Sequence, residues 1–212
     1  RILQTLENLD FNVHMFTRGM FNYGDLYPDY PFTLELDKSH VQTVNLDFKL
    51  EKGGNNQLYV TAKGENVVVH DFLTGKDVER LEKLEVRVPV KADGSVVHQW
   101  FSFRVAEKEK SLEKIAEQPD LYFSFINNKR LITEYRNMQI SEAAKNASVA
   151  TITLRAKSNN KAQAFLNKHL ELWMNQDLEK KNLTAVSTIS FIDEQLKSMR
   201  DTLDRMGRKL EN

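Results

Sequence analysis

Cysteine is absent from this 212-residue chain. That one absence excludes a disulfide framework, thiolate metal sites and cysteine nucleophiles together. An excess of either charge is absent too. Thirty basic residues balance thirty acidic ones, so the electrostatic footprint of a nucleic-acid binder is missing and no nucleic-acid partner is expected. No apolar run approaches the ~18 residues that a membrane-spanning helix needs. The chain has no initiator methionine, and no basic start followed by an apolar run and a small-residue cleavage site. Prolines number four and glycines eight, and almost all of them fall before residue 120.

What is present is organised around the last quarter, residues 158–212, which holds one glycine (Gly207) and no proline. Its later part places Ile189, Ile192, Leu196, Met199, Leu203, Met206 and Leu210 at alternating steps of three and four. That spacing keeps one narrow apolar seam turned toward a partner helix. Asp177/Lys181, Asp193/Lys197, Asp201/Arg205 and Asp204/Arg208 set an acid four positions before a base, the order that supports a helix. At ~1.5 Å per residue such a helix is about 80 Å long, so it is expected to project from a body. With no cap or stop at Leu210–Asn212, it reads as cut in mid-helix.

Ahead of it the period is mostly two. Ile2, Leu3, Leu6 and Leu9 mark a short helical tail, and Phe11 to Phe16 alternates weakly. Tyr27 to Pro31 is extended or turning, because each proline biases the residue before it away from helix. Residues 32–36 and 44–50 alternate apolar with polar, as half-buried strands do. Gly53-Gly54-Asn55-Asn56 turns into a strand over 57–62. Further strands are expected over 66–72, 84–90 and, after the Asp93-Gly94 turn, 96–105. These make about six strands in a meander or sandwich-like insertion. A short helix over 111–117 closed by Pro119, a strand over 121–126, a helix over 128–137 and a strand over 149–154 follow. Ser158-Asn159-Asn160 is cap material for the long helix. The expected fold is therefore α+β. A base over 1–157 carries a β-rich insertion at roughly 31–106, and a coiled-coil-like helix occupies 158–212.

Several passages, in their order and spacing, carry a resemblance. They are Ala147 to Ala156, Ala162 to Leu172, Leu178-Glu179-Lys180-Lys181-Asn182 and Phe191 to Leu196. Leu6 to Tyr27, Tyr122 to Ile126 and Leu131 to Tyr135 agree with them. Together they resemble the periplasmic part of the bacterial polysaccharide co-polymerases, the chain-length determinant (Wzz-like) family. The likeness is greatest to the large Bacteroidetes form that carries a tyrosine autokinase. It covers about 120–196 most fully; over 40–110 it lies only in position and strand content. The resemblance implies an inner-membrane protein with this segment in the periplasm, between membrane helices outside it. It also implies a homo-oligomeric ring that works with a polysaccharide polymerase and an outer-membrane export channel, setting the length of a capsular, exopolysaccharide or O-antigen chain. ATP and Mg²⁺ would belong to a cytoplasmic kinase domain elsewhere; no cofactor is expected in this segment.

Residue chemistry points the same way. Thr74-Gly75-Lys76-Asp77 lacks the glycine spacing and the hydroxyl of a phosphate loop and reads as a surface turn. Five histidines (His14, His40, His70, His98, His169) show no pairing at helical spacing, so no metal site is expected. No serine lies in a nucleophile elbow. Neither catalytic nor metal residues are therefore expected. Trp100 is the aromatic most open to stacking on a sugar, Phe101 and Phe103 reading as core. Glu179, Lys180 and Lys181 are candidates for glycan or partner contact, although a solvated or inter-subunit helix face accounts for them better. Asn146-Ala147-Ser148 and Asn182-Leu183-Thr184 match a glycosylation sequon by chance. The reading is a non-catalytic assembly domain whose working part is the helix seam. Two other classes fit less well: a periplasmic adaptor of an efflux or secretion system, and a carbohydrate-active enzyme using a carboxylate pair.

Overall fold

The computed structural model describes residues 1–19, 23–108, 111–118, 120–142 and 149–210; the side chains of 56, 202, 204, 205 and 207–210 are not described. Pro119 and the Asn146 sequon lie outside the described residues. In chain order the elements are α1 (Ile2–Glu7), β1 (Val13–Arg18), β2 (Tyr23–Asp25), β3 (Phe32–Leu36), β4 (Gln42–Val44), β5 (Phe48–Lys52), a 3₁₀ turn (Gly54–Asn56), β6 (Leu58–Asp71), β7 (Lys76–Pro89), β8 (Ser95–His98), β9 (Phe101–Glu107), α2 (Leu112–Ala116), β10 (Leu121–Phe125), α3 (Asn128–Tyr135), β11 (Gln139–Glu142), β12 (Ala150–Thr153) and α4 (Asn159–Leu210). The fold is α+β. The chain divides into two compact units, Arg1–Leu166 and Asn167–Asn212.

In the first unit a seven-stranded antiparallel sheet runs β2-β1-β10-β5-β6, with β4 and β7 also on β6. Strand β6 is long enough to hold two partners along one edge: β5 pairs with residues 58–62 and β4 with residues 68–70. Its other edge takes β7 over nearly its whole length. The β4–β5 connection turns at Asn45, whose φ of 59° is a left-handed value asparagine tolerates. It drops Leu46 onto Gly64. A Cβ at position 64 would stand 2.6 Å from Leu46 Cδ1, so only glycine leaves room there.

A three-stranded sheet, β3-β9-β8, shares one core with the large sheet. Alternation delivers the side chains: Phe32 and Leu34, Phe48 and Leu50, Phe101 and Phe103, and Leu121, Phe123 and Phe125 all point inward. Phe48 is fully buried and meets Phe101, Phe103, Phe123 and Phe125 with ring centroids 5.1–5.6 Å apart. Gln42 links the sheets. Its buried amide donates to Ser102 O at 2.7 Å and accepts from Ser102 N at 3.2 Å, meeting the demand that buried polar groups be paired. A second core gathers Leu6, Phe11, Leu131, Tyr135 and Phe165, so α1, α3 and the opening turns of α4 pack together.

Four strands differ from the sequence expectation. Residues 96–105 are not one strand but the hairpin of β8 and β9, and residues 44–50 cross the Asn45 turn from the end of β4 into β5. Residues 57–62 and 66–72 are one continuous strand, β6, because Gly64 and Asn66 shape the strand rather than end it. Strand β7 begins at Lys76, well before residue 84. Most of it is exposed, and among the described residues it pairs only with β6; charged residues occupy most of its length. Thr74-Gly75 is the tip of this hairpin, where Gly75 has φ 68° and Asp71 Oδ1 accepts from Leu73 N at 2.8 Å.

The second unit is helix. No helix among the described residues is long and apolar enough to cross a membrane.

Candidate functional surfaces

The first candidate is the apolar stripe of α4. In the second unit Ile189, Ile192, Leu196, Met199, Leu203 and Met206 are all exposed, Leu203 at 69 %. Leu210 lies at the end of the helix, with its side chain outside the described residues. At 100° per residue these positions fall on one face, and Leu170, Met174, Leu178 and Ala185 fall on the same face ahead of them. Those residues are also exposed, so the stripe begins about five turns earlier than the seam of the sequence reading. Lys181 and Asn182 leave a gap in it between Leu178 and Ala185, and Glu171 and Thr188 also fall on this face. The period was legible over the whole length; the reading began where the apolar residues became regular. A continuous apolar face of this extent, open to water, is the signature of a surface that is covered when the protein works. Its three-four spacing suits another helix laid alongside.

Glu179, Lys180 and Lys181 are exposed on the same helix. The Lys181 ammonium is 2.8 Å from the Asp177 carboxylate one turn earlier, which raises its pKa and occupies it as helix support. Trp100 belongs to the first unit, where it is half-buried and packs against the main core.

The second candidate was not legible as a site. A cleft of about 280 Å³ in the first unit lies on the outer face of the large sheet, against α3 and the first turn of α4. His14 and Phe16 of β1, Tyr23 and Asp25 of β2, and Lys161 of α4 line it. Ser158 opens α4, its hydroxyl accepting from Lys161 N at 3.4 Å. This sets Lys161 on the same helix face as the buried Phe165, so the lysine follows the apolar face inward. Its ammonium lies 3.0 Å from Asp25 Oδ2 and over the rings of Phe11 and Tyr27. His14 Nε2 stands 3.3 Å from the same carboxylate oxygen and 3.2 Å from the Tyr23 hydroxyl. Tyr27 N donates to Asp25 Oδ1 at 2.9 Å.

Burial alone would push the Asp25 carboxyl up. The hydrogen bonds from His14 and Tyr27 N, with the Lys161 charge, outweigh it and hold the group down at about 2. Lys161 is also lowered: its burial outweighs the attraction of Asp25. The two shifts pull in opposite senses for the pair, since one favours the charged carboxylate and the other disfavours the charged amine. The carboxylate has three donors and the amine one acceptor, so the ion pair persists at neutral pH with the lysine bearing the desolvation cost. A carboxylate so saturated is a poor general base. The cluster fastens the start of α4 to β2. Asn160 adds a bond to Tyr27 O at 3.0 Å. The one local hint was a lysine on the apolar side of an amphipathic first turn.

Beside the cluster, Arg18 lies over both the Phe16 and Tyr122 rings, which stack on each other, and bonds Asp47 at 2.5 Å. His70 is buried against Asp77 at 2.7 Å. His98 stacks on Phe101, and its burial lowers its pKa. Among the described residues no three His, Asp or Glu side chains converge as metal ligands. No family model, curated protein or solved structure matches this chain.

Proposed function

We propose that this chain is a periplasmic assembly domain of an inner-membrane polysaccharide co-polymerase, acting on chain length through contacts between copies of itself. The observation that carries the reading is the exposed apolar stripe from Leu170 to Met206. An apolar face of this kind costs solubility unless a partner covers it, and its spacing suits a helix. The resemblance of residues 120–196 to chain-length determinants supplies the context: an α+β body, then a long helix, in that order. In this reading side-by-side copies bury the stripe, and the resulting ring meets the polymerase and the export channel. A tyrosine autokinase in the same polypeptide, and the nascent glycan as a direct partner, belong to the same proposal.

The test is the length distribution of surface polysaccharide on a gel. Cells carrying Leu196→Asp with Leu203→Asp should lose or shift the modal length, while the variant protein accumulates normally. An unchanged ladder with normal yield overturns the reading.

A further inference from the structure

A second concavity of the first unit lies beside the cluster just described, and it has a different chemistry. It is an open basin of about 720 Å³ formed where α3, the β4–β5 turn and the segment between β12 and α4 meet. Lys129, Arg130, Arg155 and Lys157 line it, against two carboxylates, Asp77 and Glu134. Asp77 is already engaged by His70. Lys129, Arg155 and Lys157 have no ion-pair partner among the described residues. The Arg130 guanidinium is steadied by the Asn45 side-chain oxygen, a neutral acceptor that leaves its charge unmatched.

In a chain whose charges sum to zero, four cations from two separate segments converge on one concave surface against two carboxylates. Like charges repel, so anionic oxygens are favoured there, the more so at low salt. Two guanidinium forks suit carboxylate or phosphate groups bidentately. Asn137 and Thr133, also in the lining, supply hydrogen-bonding groups of the kind that meet sugar hydroxyls. No aromatic ring lines the basin, so recognition there works through charge and hydrogen bonds. The volume falls in the range of small-ligand sites and far exceeds an inorganic ion.

We propose that this basin binds an acidic oligosaccharide, a sugar chain bearing carboxylate or phosphate groups. The choice of a sugar rests on the assembly reading above; the convergence of cations does not.

The experiment is calorimetric titration of the full chain with a galacturonate pentamer, with glucose 6-phosphate, with a neutral maltopentaose of equal length and with inorganic phosphate. Binding of a charged sugar at least tenfold tighter than the neutral one is expected, weakening as salt rises. Arg155→Ala with Lys157→Ala should weaken it a further tenfold or more. Both side chains are exposed, so the fold should be retained, which circular dichroism checks. Lys129→Ala should act in the same direction as a second variant. A preference for the pentamer identifies carboxylate as the anion, and a preference for the sugar phosphate identifies phosphate. Equal binding of neutral and acidic sugars, no binding of any, undiminished binding by both variants, or inorganic phosphate binding as tightly as the charged sugars would each overturn the proposal. Normal polymer length in the stripe variant with intact sugar binding would instead overturn the assembly reading alone.

Discussion

The two units use the same apolar residue types to opposite ends. In Arg1–Leu166 phenylalanine, leucine and valine disappear into two cores. In Asn167–Asn212 leucine, isoleucine, methionine and Phe191 stand in water. The reason is geometric. A strand sends alternate side chains to opposite faces, so a second sheet or a helix can cover one face completely within the chain. A single helix has nothing of its own to cover its stripe, and its backbone hydrogen bonds are complete without help. The first unit is therefore stable through burial. The second keeps its secondary structure locally and holds its apolar surface in reserve.

The sharpest way to test that contrast is to remove one ring from each. Phe48→Ala empties the meeting point of four other phenylalanines. It should cost about 3–5 kcal/mol in urea unfolding, while Phe191→Ala on the helix should change the same measurement by less than about 0.5 kcal/mol. Similar losses from both would show that the helix shares the core's cooperativity. Next in size is the fastening of α4. Asp25→Asn leaves the buried Lys161 without its counter-charge and should cost about 3 kcal/mol. Lys161→Met added to it should recover part of that loss.

The same pair gives a pH signature. Asp25 is held below its ordinary value in the fold, so its contribution is complete above about pH 4. It is lost as pH falls from there through about 2. Melting temperature followed from pH 6 to pH 2 should show a decline that is shallower in Asp25→Asn. Equal slopes would remove Asp25 from the acid response. Smaller again is Gly64→Ala, where the new methyl would stand against Leu46; about 1–3 kcal/mol is expected from overpacking, read by the same urea titration. Least of all, Leu196→Asp with Leu203→Asp should leave the urea midpoint of the first unit unmoved, since both side chains are exposed.

Period carried most of what could be read in advance. The long helix, its Ser158 start, the Gly53–Asn56 and Asp93-Gly94 turns and the inward residues of β3, β5, β9 and β10 follow from local spacing. The first half of β7, ahead of the strand expected from residue 84, did not announce itself because it has almost no buried face. Val78, Leu81 and Leu84 fall three apart, as in a helix, and the charges between them mask the strand. The fastening cluster and the basin were illegible for another reason. Asp25 and Lys161, or Asn45, Arg130 and Arg155, are neighbours only after the strands have paired, and no local pattern marks them. The full length of the apolar stripe is present in the spacing, but its first half is less regular than the seam from Ile189.

The outer edge of β7 has a consequence for life at close quarters. An edge strand of fourteen residues, paired on one side with β6, offers its other side as a template onto which another chain could add itself. Here Glu79, Arg80, Glu82, Lys83, Glu85 and Arg87 place charge along most of it, and Pro89 removes a donor at its end. Many copies can thus be held shoulder to shoulder without their sheets fusing into a common ribbon.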